Sequence, residues 1–122
     1  MNLVIWDIES SNANTDFGSI IEIGGILVDK NFKEKDRFNL RCRLPEGEIP
    51  QCMALIVNRT SVDLLTKANL SHYQMLGELE KIFKKWSPAI FLGWSNIGFD
   101  DEMIRKEFFK GIRYPYITNS SP

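Results

Sequence analysis

The chain alternates between apolar runs that stop abruptly and polar stretches rich in loop-forming residues. The first run, Leu3 to Ile8, is apolar except for Asp7 and suits a central strand covered on both faces. Ser10 to Gly18 is polar and reads as a loop. A second run with β-branched residues, IIEIGGILVD over 20–29, predicts another strand, and Lys30 to Lys35 a polar turn. In Arg37 to Leu44, Phe38, Leu40, Cys42 and Leu44 alternate with Arg37, Asn39, Arg41 and Arg43, the period of a half-exposed strand. Three strands so closely spaced, the later two joined by a short turn, predict an antiparallel meander.

From Pro45 to Leu70 the pattern is irregular and reads as a connector. It holds a short helix around Met53 to Val57 and a turn near Val62 to Thr66 that Thr60 or Ser61 would cap. His72 to Trp86 is the clearest helix, because Met75, Leu76, Leu79, Ile82, Phe83 and Trp86 recur at helical spacing after Ser71, a capping residue. Pro88 ends it. AIFLGW over 89–94 predicts a short buried strand. FDDEMIRKEFFK over 99–110 predicts a second helix with three acids in its first turn, matching the helix dipole, and with Glu102–Lys106 and Asp101–Arg105 as stabilising pairs. The order β-β-β-α-β-α defines an α/β layer fold with a mixed sheet.

Composition narrows the picture without changing it. The chain of 122 residues, 43% apolar and 25% charged, suits one ordinary domain. Fifteen basic and sixteen acidic residues give a net charge of -1, so binding to a polyanion would have to be local. Cys42 and Cys52 lack metal-ligand or redox spacing and read as packing residues in a reducing cytosol. No signal peptide fits the first residues, and no run reaches the roughly 20 apolar residues of a membrane span. A cytoplasmic protein with no membrane partner is expected.

The chemistry sits where apolar runs stop. Asp7 and Glu9 close the first run and, at the period of a strand, project from one face about 7 Å apart. Two anions at the end of a buried strand are costly unless a cation, a strong donor or a shifted pKa offsets them, and a hard divalent metal is the simplest offset. Asp100 and Asp101 open the last helix after the Gly-containing turn GWSNIG. If the strand at 89–94 lies parallel and next to the first, Asp100 comes close to Asp7 and Glu9 at the carboxyl ends of the strands, where ligands bind in open α/β sheets. Solvation of a strand end accounts for the first pair alone, and helix capping for the second alone. Taken together, the two favour a metal site.

WDIES, IIEIGGILVD and GWSNIGFDDEMIRKEFF resemble the DEDD (DnaQ-like) 3′–5′ exonuclease superfamily, which has a ribonuclease H-like fold. IPQCMALIVNRT with NIGFDDEMIRKEFFKGIRYPY is similar in particular to the bacterial exonuclease I family, which degrades single-stranded DNA from its 3′ end. The resemblance implies that residues 1–122 are one partial exonuclease domain, with the family's final elements missing on the carboxyl-terminal side. It implies a two-metal Mg2+ or Mn2+ site, with Asp7 bridging the ions, Glu9 on the metal that holds the attacking water, and Asp100 on the metal nearer the leaving group. Ser10 would lie near the terminal nucleotide and Asn96 would help order the site, with Asp101 a mere neighbour. Phe17, by its position after Glu9, is the aromatic expected to touch the last base; Trp6 and Trp94 read as core. The family's third motif, a His or Tyr base and a fourth Asp, has no match before the polar tail ITNSSP, which leaves the set incomplete. His72, at the start of the long helix, reads as a surface or capping residue.

The expected activity is therefore metal-dependent 3′–5′ exonucleolytic release of nucleoside monophosphates from single-stranded DNA, favoured over RNA. The alternative is a non-catalytic module that keeps the fold and holds a nucleic-acid end or a partner. Arg37, Arg41 and Arg43, and Lys106, Lys110 and Arg113, are the cations available for phosphates, though solvated faces explain both sets. An open sheet edge also leaves room for a homodimer.

Overall fold

A computed structural model describes residues 1–93 and 97–118, with the side chains of 97–99 left aside. The elements are β1 (Asn2–Ser10), β2 (Ile20–Val28), β3 (Glu34–Arg41), α1 (Cys52–Asn58), α2 (Val62–Lys67), α3 (His72–Trp86), β4 (Ala89–Gly93) and α4 (Ile97–Lys110). One sheet runs in the order β3-β2-β1-β4. The meander is antiparallel, and β4 joins β1 in parallel, with Trp6 level with Gly93. The helical connection from β3 to β4 makes that parallel pairing geometrically available.

β1 from Leu3 onward and β4 alternate between buried and more exposed positions. Val4, Trp6 and Ile8 of β1 and Ala89 and Phe91 of β4 enter the core, where they meet Met75, Leu76, Leu79 and Phe83 of α3 and Met103, Ile104 and Phe108 of α4. The Phe83 ring sits at the centre, edge-on to Trp6 at 6.4 Å and to Phe38 at 6.0 Å, and 5.0 Å from Phe91. Each fully buried side chain of this kind contributes about 1.5–3 kcal/mol. The opposite face is not covered by described residues: Ile90 is 42% and Leu92 48% exposed, while Leu3, Ile5 and Ile26 are half-buried. This corrects the expectation that the strands at 3–8 and 89–94 are buried on both faces. A continuous apolar run does not report which face its neighbours occupy, and here α3 and α4 both pack on one side.

α3 starts and ends where its periodicity predicts. Ser71 and Gln74 form a reciprocal capping box, and the Trp86 indole donates to Asp36 Oδ2 at 3.1 Å, which ties the end of the helix to β3. α4 begins two residues earlier than expected, so the only acid in its first turn is Asp100. His72 is neither a surface nor a capping residue, since its Nε2 lies 2.8 Å from Oε1 of the buried Glu107, which also accepts the Ile20 N–H. Cys42 is buried as expected, whereas Cys52, at the start of α1, is exposed and is not a core packing residue. No described helix is long and apolar enough to cross a membrane.

Candidate active site

β1 carries Asp7 and Glu9 on the face away from α3 and α4, level with Gly24 and Glu22 of β2. Glu22, which the sequence reading passed over, therefore stands beside Glu9 and is held by Arg41 of β3 at 2.9 Å. The signal for it was a single acid interrupting the apolar run IIEIGG. Asp100 is fully buried and reaches the same end of the sheet from the start of α4. It packs directly on Gly93, where a Cβ would lie 2.9 Å from the Asp100 Cβ and 3.1 Å from its Oδ2. Only glycine at the end of β4 permits that approach.

Electrostatics tie these groups together. The Glu9 carboxyl is held above the ordinary glutamate range, first by burial and then by repulsion from Asp7, Glu22 and Asp100, with Arg41 opposing the rise. The donor set is all carboxylate oxygen, the chemistry a hard divalent cation takes, and a charge accumulation of this kind is what such a cation offsets. The side chains are nevertheless not at ligand spacing: among the described residues, no three His, Cys, Asp or Glu are grouped closely enough to hold an ion. The expected convergence is thus corrected in degree. Asp7 and Asp100 come within Coulombic reach of Glu9.

Beside the acids, α1 forms one wall of an open cleft of about 500 Å3, lined by Asp7, Glu9, Ser10, Met53, Val57 and Asn58. α1 buries none of its residues and is attached by polar contacts. Asn58 Nδ2 donates to the Ser10 carbonyl at 2.8 Å, and the Gln51 N–H to the Ser11 carbonyl at 2.8 Å. The Gln51 side-chain oxygen accepts from the Ala13 N–H at 3.0 Å. Met53 and Val57 are thereby left exposed next to the acids. Ser10 lines this cleft, but its hydroxyl donates to the Asn12 carbonyl at 2.7 Å and is turned into the loop. Phe17 is exposed in the loop 11–19 and does not line the cleft. Asn96 and Trp94 lie outside the described residues.

The expected cations divide. Arg43 donates to the carbonyls of Ala68 and Asn69, and Arg113 pairs with Glu80 and stacks over Tyr73. Lys106 bonds Asp16 and Glu102, and Lys110 bonds the Asp16 carbonyl, so both fasten the loop 11–19 to α4. Arg37 and Arg41 remain on the sheet face that carries the acids.

The mixed four-stranded sheet, with acids at the carboxyl end of β1 and at the start of α4, has the ribonuclease H-like fold seen in solved exonuclease I structures. In sequence and in fold the chain is similar to exonuclease I. It is 22% identical over 117 residues to exodeoxyribonuclease I of Buchnera aphidicola subsp. Schizaphis graminum (strain Sg), a match covering 95% of this chain and 24% of that protein. It superposes on Escherichia coli exonuclease I, solved with a dT13 oligonucleotide, with TM-score 0.85 and 18% identity over 94% of this chain and 25% of that one. For exonuclease I of Methylocaldum szegediense the TM-score is 0.87 at 18% identity, over 97% of this chain and 25% of that one. The chain thus spans about a quarter of the length of these relatives. No family model matches it.

Proposed function

We propose that the chain is part of a metal-dependent 3′–5′ exonuclease acting on single-stranded DNA. The observation that carries this reading is the gathering of Asp7, Glu9 and Asp100 at one end of the sheet in a fold shared with exonuclease I. Asp7, Glu9 and Asp100 would hold Mg2+ or Mn2+, which when bound activates water and stabilises charge on the scissile phosphate. Glu22, fixed by Arg41, adds negative charge behind Glu9 and favours cation entry. The apolar side chains of Met53 and Val57 give the terminal base a surface beside the acids, and Asn58 and Gln51 keep α1 in place for it. A base that must lie against α1 is one already released from pairing, which favours a single strand. The Ser10 hydroxyl and Phe17 have no direct part in this arrangement.

The non-catalytic alternative is favoured by the absence, among the described residues, of three ligating side chains grouped closely enough to hold an ion. Digestion of a 5′-labelled single-stranded oligonucleotide with Mg2+, Mn2+ or chelator, beside Asp7→Asn, separates the two. Stepwise 3′ shortening that chelator and the substitution abolish supports the enzyme. Metal-dependent binding of the strand with no shortening supports the module.

A further inference from the structure

The sheet face that bears the acids continues past them. On β3, Arg37 and Asn39 are level with Ile26 and Gly24 of β2, and beyond those with Ile5 and Asp7 of β1. The row from Asn39 to Asp7 has no side chain at its middle, because Gly24 occupies it. A groove of about 480 Å3 opens there, lined by Ile5, Asp7, Gly24, Ile26, Arg37 and Asn39. Ligand pockets run about 300–1,000 Å3, so the space accepts one or two nucleotides and no duplex. A Cβ at Gly24 would stand 3.1 Å from Asn39 Oδ1 and would narrow it.

The two ends of the groove differ in charge. One is Asp7, part of the candidate metal site. The other is Arg37, whose side chain is 70% exposed and pairs with Glu34, itself 42% exposed. The pair is two-pronged, through Nε and a terminal guanidinium nitrogen, but both partners face water, and a phosphate offers Arg37 the same two-pronged acceptor in place of Glu34. The floor between the ends is apolar at Ile5 and Ile26 and suits the flat face of a base.

We infer that this groove holds the single strand upstream of the terminal nucleotide, with Arg37 and Asn39 contacting its phosphates. The inference rests on the proposed function, since it takes the strand's 3′ end to lie at Asp7. Contacts of this kind position a strand without reading its sequence. Arg41 stays with Glu22 and takes no part.

The test is binding of fluorescein-labelled dT12 and dT2, made with phosphorothioate linkages that resist cleavage, to the full chain with Mn2+ across a range of NaCl. Arg37→Ala is expected to weaken dT12 binding about threefold to tenfold and to reduce its salt slope by about 0.7, with dT2 affinity and melting temperature unchanged. Gly24→Val is expected to lower dT12 affinity while leaving Mn2+ affinity intact. Equal dT12 affinity and salt slope for the wild type and Arg37→Ala, with Mn2+-dependent dT2 binding retained, overturns this inference alone. Failure of the wild type to bind either oligonucleotide overturns the functional reading with it. Dimerisation of the wild type that Gly24→Val abolishes assigns the groove to a second copy and also overturns the inference.

Discussion

Glu9 carries the electrostatic strain of the site in one carboxyl. Its pKa is raised, so folding disfavours its charged form, and the cost is present at neutral pH and fades as pH falls through the raised value. Glu9→Gln in chelator is therefore expected to melt at a higher temperature than the wild type at pH 7, with the gap closing toward the ordinary glutamate range; thermal melts across pH check this, and a lower melting temperature at pH 7 contradicts it. The two cysteines diverge as sharply. Burial, aided by Glu107, pushes the Cys42 thiol up to about 12, whereas Cys52 is exposed, so a thiol reagent at pH 8 should label one site per native chain and two in denaturant. Residue types at a strand's period sufficed to place Asp7 and Glu9 on one face. They did not foretell that the Ser10 hydroxyl turns into its own loop, which depends on the local backbone path, or that His72 meets Glu107, a residue distant in sequence.

Elements whose stability is local were the legible ones. α3 combines a sustained helical period with a capping box, and both of its ends fall where the sequence predicts. Ser71→Ala should cost about 1 kcal/mol in urea denaturation and leave Mn2+ affinity unchanged, since Ser71 caps the start of α3 and does not line the cleft beside Asp7 and Glu9. The start of α4 was misread by two residues because three consecutive acids mimic a first turn. Gly93 gives the contrasting test. Gly93→Val drives a side chain into Asp100, and it should cost about 1–3 kcal/mol and weaken Mn2+ binding as well. A variant that is destabilised yet binds Mn2+ normally would show that Asp100 lies outside the site. The strands' alternation was legible, but which of their faces the helices cover was not, because that depends on the path of the chain after β3.

At the scale of the whole molecule, one layer of helices covers one face of the sheet, and the other face gathers the chemistry. Acids lie at the carboxyl ends of β1 and β4, Arg37 and Arg41 lie on β3, and α1, which buries none of its residues, is attached at the side. The central proposal is that Asp7, Glu9 and Asp100 together bind a divalent cation. Titration of the chain with Mn2+, followed by electron paramagnetic resonance and repeated on Asp7→Asn, tests it most directly. Saturable binding that the substitution weakens about tenfold or more is the predicted result. Equal binding by the two proteins, or none by the wild type, would contradict the claim.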